Sequence, residues 1–161
     1  RTLFKDNLQW IRATFNKIKK INNVNWIVKS HPENPYSLQK ALTDTEQEFA
    51  RAFTHEEHIK FFPKNLSNKS LPNIISLAIT GKGSAGTEYP SLGIPVIGTN
   101  RSHYSDFGFV IEPKTKEEYF NLLKNIKKIP PLTKEQIAIS YNSKMSANPP
   151  VASISDKSSS S

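Results

Sequence analysis

Ser76 to Asn100 reads SLAITGKGSAGTEYPSLGIPVIGTN, and the fold turns on this stretch. Ser76–Thr80 (SLAIT) is a short apolar run of strand character, and Ile94–Gly98 (IPVIG) is another. Between them lie a small-residue loop, Gly81–Gly86, and a predicted short helix, Thr87–Leu92. Gly93 follows at the position where a left-handed residue commonly ends a helix. A strand, a tight turn, a helix and a second strand in so few residues form one parallel crossover unit.

The same alternation extends on both sides. Leu3, Phe4, Leu8, Ile11, Phe15 and Ile18 recur at spacings of three and four, predicting a helix over 3–21 with one apolar face. Asn25–Ser30 (NWIVKS) predicts a strand that stops at His31-Pro32, because proline lacks the N–H a ladder needs. Leu38–Phe53 predicts a helix with Glu46, Glu48 and Arg51 on its outer side. Ile59–Pro63 predicts a strand, and 64–73 a loop. Downstream, Phe107–Ile111 predicts a strand and Lys116–Ile126 a helix that buries Tyr119, Phe120, Leu122 and Leu123. The fold class read from this order is α/β: a Rossmann-like, doubly wound parallel sheet flanked by helices.

Residues 1–128 form the predicted domain, 129–145 a trailing helix or linker (helical over 133–143), and the Ser- and Pro-rich 146–161 a disordered tail. A chain of 161 residues supports one such core. No apolar run approaches the ~20 residues that span a bilayer. The opening RTLFKDNLQW is not a signal peptide, and it reads as the start of a fragment that lacks an initiator Met. The absence of cysteine excludes disulfides and thiolate metal sites and permits a cytoplasmic setting. His55 and His58 have helical spacing but no carboxylate-rich partner motif, so no metal is expected.

Lysine and arginine total 22 against 14 acids, for a formal charge of +8. That balance favours anionic partners. Much of it falls at ordinary helix-surface positions, including Lys17, Lys19, Lys20, Lys124, Lys127 and Lys128. No nucleic-acid-binding signature accompanies it, so no nucleic-acid partner is predicted.

In parallel α/β sheets ligands bind beyond the C-terminal ends of the strands. His31, the Gly81–Gly86 loop and the Thr99–Asp106 loop all fall at that edge. Small residues let backbone approach a ligand closely, and N–H groups at a helix start suit phosphate oxygen. Ser84 and Thr87 add hydroxyls and Lys82 a compact positive charge. The loop is not a Walker sequence. It fits the bare dinucleotide pattern, but no acid ends the next strand at Thr99-Asn100. A tight turn with no ligand would carry the same residues, and Glu88 taken alone reads first as an acid favoured at a helix N-terminus.

The segment ITGKGSAGTEYPSLGIPVIGTN as a whole resembles the donor-binding signature of GT-B glycosyltransferases. WIVKSHPENPY resembles the Lys-x-His-Pro strand end of capsule-polysaccharide and Kdo-type members of that group, and SHYSDFGFVI resembles a later element carrying Tyr and Gly. The resemblance spans roughly residues 24–126 and implies the C-terminal, donor-binding half of a GT-B architecture. It implies that Glu88 contacts the ribose hydroxyls, and that Lys82, Gly83, Ser84, Ala85, Gly86 and Thr87 meet the diphosphate or sugar. His31 would stabilise the leaving phosphate, while His103 and Tyr104 would close over the donor. The partners implied are a nucleotide sugar as substrate, with no separate cofactor, and a glycan acceptor held by an N-terminal domain not found here. Cytoplasmic location with peripheral membrane association fits such a role. The alternatives are a non-catalytic nucleotide-sugar-binding or assembly module, or an epimerase of the same fold.

Overall fold

The computed structural model describes residues 2–30, 45–63, 66–81 and 83–147. Among the described residues, five short parallel strands are flanked by helices. β1 (Trp26–Val28) pairs with β2 (Ile59–Phe61), with Trp26 opposite Ile59. β3 (Ala78–Thr80), β4 (Val96–Gly98) and β5 (Val110–Ile111) form a second sheet in the order β3-β4-β5. The predicted single sheet is thus divided in two, because the strands of β1-β2 and β3-β4-β5 share no ladder among the described residues. Side-chain packing joins them instead: Trp26, Val28, Ile79 and Ile111 all pack on one core built around Phe15, Ile59, Ile97 and Tyr119.

Strand alternation assigns the two faces. The row Ile79–Ile97–Ile111 packs on that core. The row Ala78–Val96–Val110 faces the other way, against Tyr89, Tyr104 and Phe109. Helix α1 (Asn7–Ile18), helical backbone over 45–52 (α2) and α4 (Lys116–Lys124) cover the first face. Helix α3 (Ala85–Ser91) covers the second, and α5 (Lys134–Ala147) lies on α3.

The helix ends follow local chemistry. The Asp6 carboxylate accepts from Gln9 N at 2.8 Å, so α1 starts at Asn7 and not at Leu3. Thr115 caps α4 by accepting from Glu118 N, while Glu118 accepts from Lys114 N. The core side of α4 is as predicted, with Tyr119 and Leu123 fully buried. α3 begins two residues earlier than the sequence predicts, which puts Pro90 near its end. Proline has no N–H to return to the preceding turn, and the helix stops after seven residues with Gly93 left-handed at φ +85°. α5 extends to Ala147, beyond the predicted Ser143, and buries Ser140, whose hydroxyl donates to the Thr87 carbonyl at 2.9 Å.

Glu48 corrects the expectation of an outward side chain. It is 8% exposed, and its carboxylate accepts from Arg12 (2.9 Å) and Arg51 (2.8 Å). The Arg12 hydrogen bond, reinforced by both positive charges, holds its carboxyl below the usual glutamate range. At the centre of the core, Tyr119 accepts from Trp10 Nε1 (3.0 Å) and shares a 2.7 Å hydrogen bond with Thr14 Oγ1. Burial pushes its phenol up to about 12.

Candidate functional site at the C-terminal strand edge

The two loops that follow β3 and β4 are stitched together. Asn100 N donates to Gly81 O at 2.9 Å and Thr99 N to Thr80 O at 3.0 Å, so the β3–β4 ladder continues one step into the loops. Gly83 turns the chain into α3 at φ +133°, a conformation L side chains rarely adopt. Three residues on, Gly86 is buried with its α-carbon against the Tyr104 ring; a Cβ there would overlap the phenol at Cζ and Oη. Proximity of the two loops thus depends on glycine at 86 as well as on the shared hydrogen bonds.

The small-residue segment divides by face. Ser84 and Glu88 stand one helical turn apart and both are exposed. The Ser84 side chain makes no capping hydrogen bond. Its carbonyl accepts from Thr87 N, Glu88 N and Thr87 Oγ1. Thr87 points inward at 3% exposed, its hydroxyl committed to that carbonyl at 3.1 Å. Thr87 therefore supports the helix and does not present its hydroxyl to a ligand. Tyr89, beside Glu88, is half-buried; burial raises its phenol, and the Glu88 charge adds to the shift.

In the loop after β4, His103 is exposed and meets Tyr104 edge-on at 5.1 Å. Tyr104 is in the core, at 2% exposed, not over the loop as a closing side chain. Its aromatic body fills the space between Gly86, Val96 and Phe109. Neither its hydroxyl nor the buried Ser102 hydroxyl has a hydrogen-bond partner among the described residues. The sequence reading missed three further features at this edge. Arg101 and Asp106 form a 2.7 Å ion pair across the loop, and Asp106 is left-handed at φ +68°. Lys29, in the same Lys-Ser-His-Pro text as His31, is half-buried at the end of β1, donates to Ser30 O at 3.1 Å and is pushed down by burial. The Ser30 hydroxyl beside it is buried and unpartnered among the described residues. His31 and Lys82 lie outside the described residues.

A separate cavity of about 480 Å³ beside β2 is lined by Phe49, Phe53, His55, Glu56 and Lys60, among others, and by none of the predicted site residues. Among the described residues no three His, Asp or Glu side chains are placed to hold a metal ion, and no helix is long and apolar enough to cross a membrane.

At the strand edge the structure brings together the Gly83 turn, the Ser84 hydroxyl, without a hydrogen bond among the described residues, and the exposed Glu88 carboxylate one helical turn away. A carboxylate accepts two hydrogen bonds from adjacent hydroxyls, and a hydroxyl both donates and accepts. No protein-family model matches the chain, and no curated protein or solved structure matches it with significance.

Proposed function

We propose that this chain is the nucleotide-sugar-binding half of a GT-B glycosyltransferase acting in surface or capsular polysaccharide synthesis. The observation that carries the reading is the junction of the β3–α3 turn with the loop after β4, where Asn100 N meets Gly81 O and Ser84 and Glu88 are both exposed. In this reading Glu88 accepts hydrogen bonds from the ribose diol. The backbone of Gly83 to Gly86, the Ser84 hydroxyl and Lys82 bind the diphosphate and sugar. In the same reading His31, three residues after β1 in the sequence, stabilises the leaving phosphate, and Lys29 supplies a further positive charge. His103 lines the same edge. The acceptor falls to a second domain, so this chain alone binds nucleotide and turns over poorly.

A thermal-shift panel of CMP, CDP, UDP, GDP and ADP tests the proposal. Stabilisation by one nucleotide that is lost in Glu88→Ala supports it and names the base. Equal stabilisation of both proteins, or efficient sugar transfer by this chain alone, overturns the assignment.

A further inference from the structure

We propose that the open lateral edge of β2 accepts an extended peptide as an added strand, with an acidic residue between two apolar ones. Among the described residues β2 pairs with β1 alone. Trp26 N donates to His58 O at 2.7 Å, and Phe62 N donates to Val28 O at 2.7 Å. In a parallel ladder successive residues turn their backbone groups to opposite sides. His58, Lys60 and Phe62 therefore face β1, and Ile59 and Phe61 face outward. Ile59 N donates to Glu56 O over a long 3.4 Å. Ile59 O and both backbone groups of Phe61 have no partner among the described residues. Such a row of unpaired groups is a template for one more strand.

The cavity of about 480 Å³ runs along this edge. All of β2 lines it, with the turn 54–57 before the strand and the rings of Phe49 and Phe53. Among the described residues none of β1 does, so the cavity lies on the side of β2 away from β1. Phe49 meets Phe61 at 5.1 Å and Phe53 at 5.0 Å between ring centres, edge-on in both cases, which gives the cavity an aromatic wall. Strand side chains alternate between faces. Ile59 packs in the core and Phe61 on Phe49, whereas Lys60 is exposed on the opposite face, level with Ile27 of β1. A peptide strand laid on this edge repeats the alternation. Two of its side chains, two residues apart, enter the aromatic cavity, and the one between them comes beside Lys60.

Charge selects the middle residue. Lys60 forms no ion pair with the described residues. Opposite charges on neighbouring strands attract, so an acid at the facing position is favoured. The two acids before the strand do not fill that position. Glu56 accepts from Thr54 N at 3.0 Å and His55 N at 3.1 Å, and it pairs with Lys19 at 3.5 Å. Glu57 stands three residues before Lys60 and outside the ladder. A second copy of the chain fits this edge less well. The twofold axis that would pair the whole of β2 with its copy sets Lys60 opposite Lys60, on chains that each carry a charge of +8.

The test is fluorescence anisotropy of a labelled peptide, Thr-Val-Glu-Val-Thr, titrated with the full chain and compared with the same peptide carrying Lys at its centre. Wild type binds the Glu peptide more tightly, by about threefold to fivefold, the scale of one cross-strand charge pair. In Lys60→Glu the order inverts, and a gain in affinity for the Lys peptide cannot come from misfolding. Backbone pairing is read with N-methylated peptides. Methylating alternate amides in one phase abolishes binding and in the other phase leaves it, because an added strand pairs along one side only. Absence of binding, equal affinity for the two peptides, an order unchanged in Lys60→Glu, or equal effects of the two methylation patterns would each overturn the proposal. Sedimentation of wild type as a dimer that excess peptide does not dissociate would also overturn it, by giving the edge to a second copy. Nucleotide binding at the strand ends is read separately by thermal shift, so failure of one proposal leaves the other standing.

Discussion

The α-carbon of Gly86 lies against the phenol ring of Tyr104, where a single added methyl group would overlap the ring at Cζ and Oη. The contact links α3 to the loop after β4, and both residues are buried. Gly86→Ala is expected to destabilise the fold by about 1–3 kcal/mol, the usual cost of overpacking. Tyr104→Phe is expected to hold or raise stability, because it removes a buried hydroxyl that has no partner among the described residues. Urea denaturation measures both. A Gly86→Ala protein as stable as wild type would refute the contact.

That contact marks a limit of legibility. The loop SHYSDFGF is polar enough to read as solvent-facing, and Tyr104 finds its inner side against Gly86, eighteen positions earlier, and Val96. The strands, the α3 turn and the Gly93 cap were legible because strand alternation, helical spacing and glycine conformation are local. The division into two sheets was not, since residues such as Val28 and Ile79 declare burial but not their ladder partner. Glu48 failed for a similar reason: helical spacing puts a charge outside unless its counter-ions are known, and Arg12 comes from another helix. Along α3, the sequence could not separate Thr87, which faces inward, from Ser84 and Glu88, which face out.

The Glu48 cluster predicts an acid limb of the stability curve. Its carboxyl titrates lower in the folded chain than the ordinary glutamate value of 4.5, chiefly through the Arg12 hydrogen bond. A depressed folded value means that the unfolded chain binds the proton first as pH falls. The contribution is therefore fully present above about pH 4.5 and is lost as pH falls through the folded value. Glu48→Gln should lower Tm at pH 7 and narrow its gap to wild type towards pH 3. A constant gap across that range would assign the loss to packing and not to charge.

Tyr119 predicts the opposite limb. Its folded value of about 12 lies above the unfolded value, so its contribution is complete below about pH 10 and fades as pH rises towards 12. In a spectroscopic titration, one of the five tyrosines should ionise only near pH 12 or together with unfolding. Tyr119→Phe removes that step and strands Trp10 Nε1 and the Thr14 hydroxyl, at a cost of about 1–3 kcal/mol. Ionisation of all five tyrosines near pH 10 in the folded protein would contradict the buried placement.

The division of the α3 segment into an inner and an outer side separates stability from binding. Ser84→Ala and Glu88→Ala touch exposed positions, and the Ser84 side chain performs no capping. Each should leave ligand-free stability within about 0.5 kcal/mol of wild type, as surface substitutions generally do. Thr87→Val removes a buried hydroxyl bonded to Ser84 O, so it should cost about 1 kcal/mol with or without ligand. A nucleotide present at a hundred times its Kd adds about 2.7 kcal/mol to a protein that binds it. Under the donor-binding proposal, Glu88→Ala loses most of that increment and Ser84→Ala part of it. Thr87→Val keeps it, because the side chain faces the core. The reverse pattern, with Thr87→Val abolishing the increment and Glu88→Ala retaining it, would place any ligand on the inner side of α3 and exclude Glu88 from the ribose.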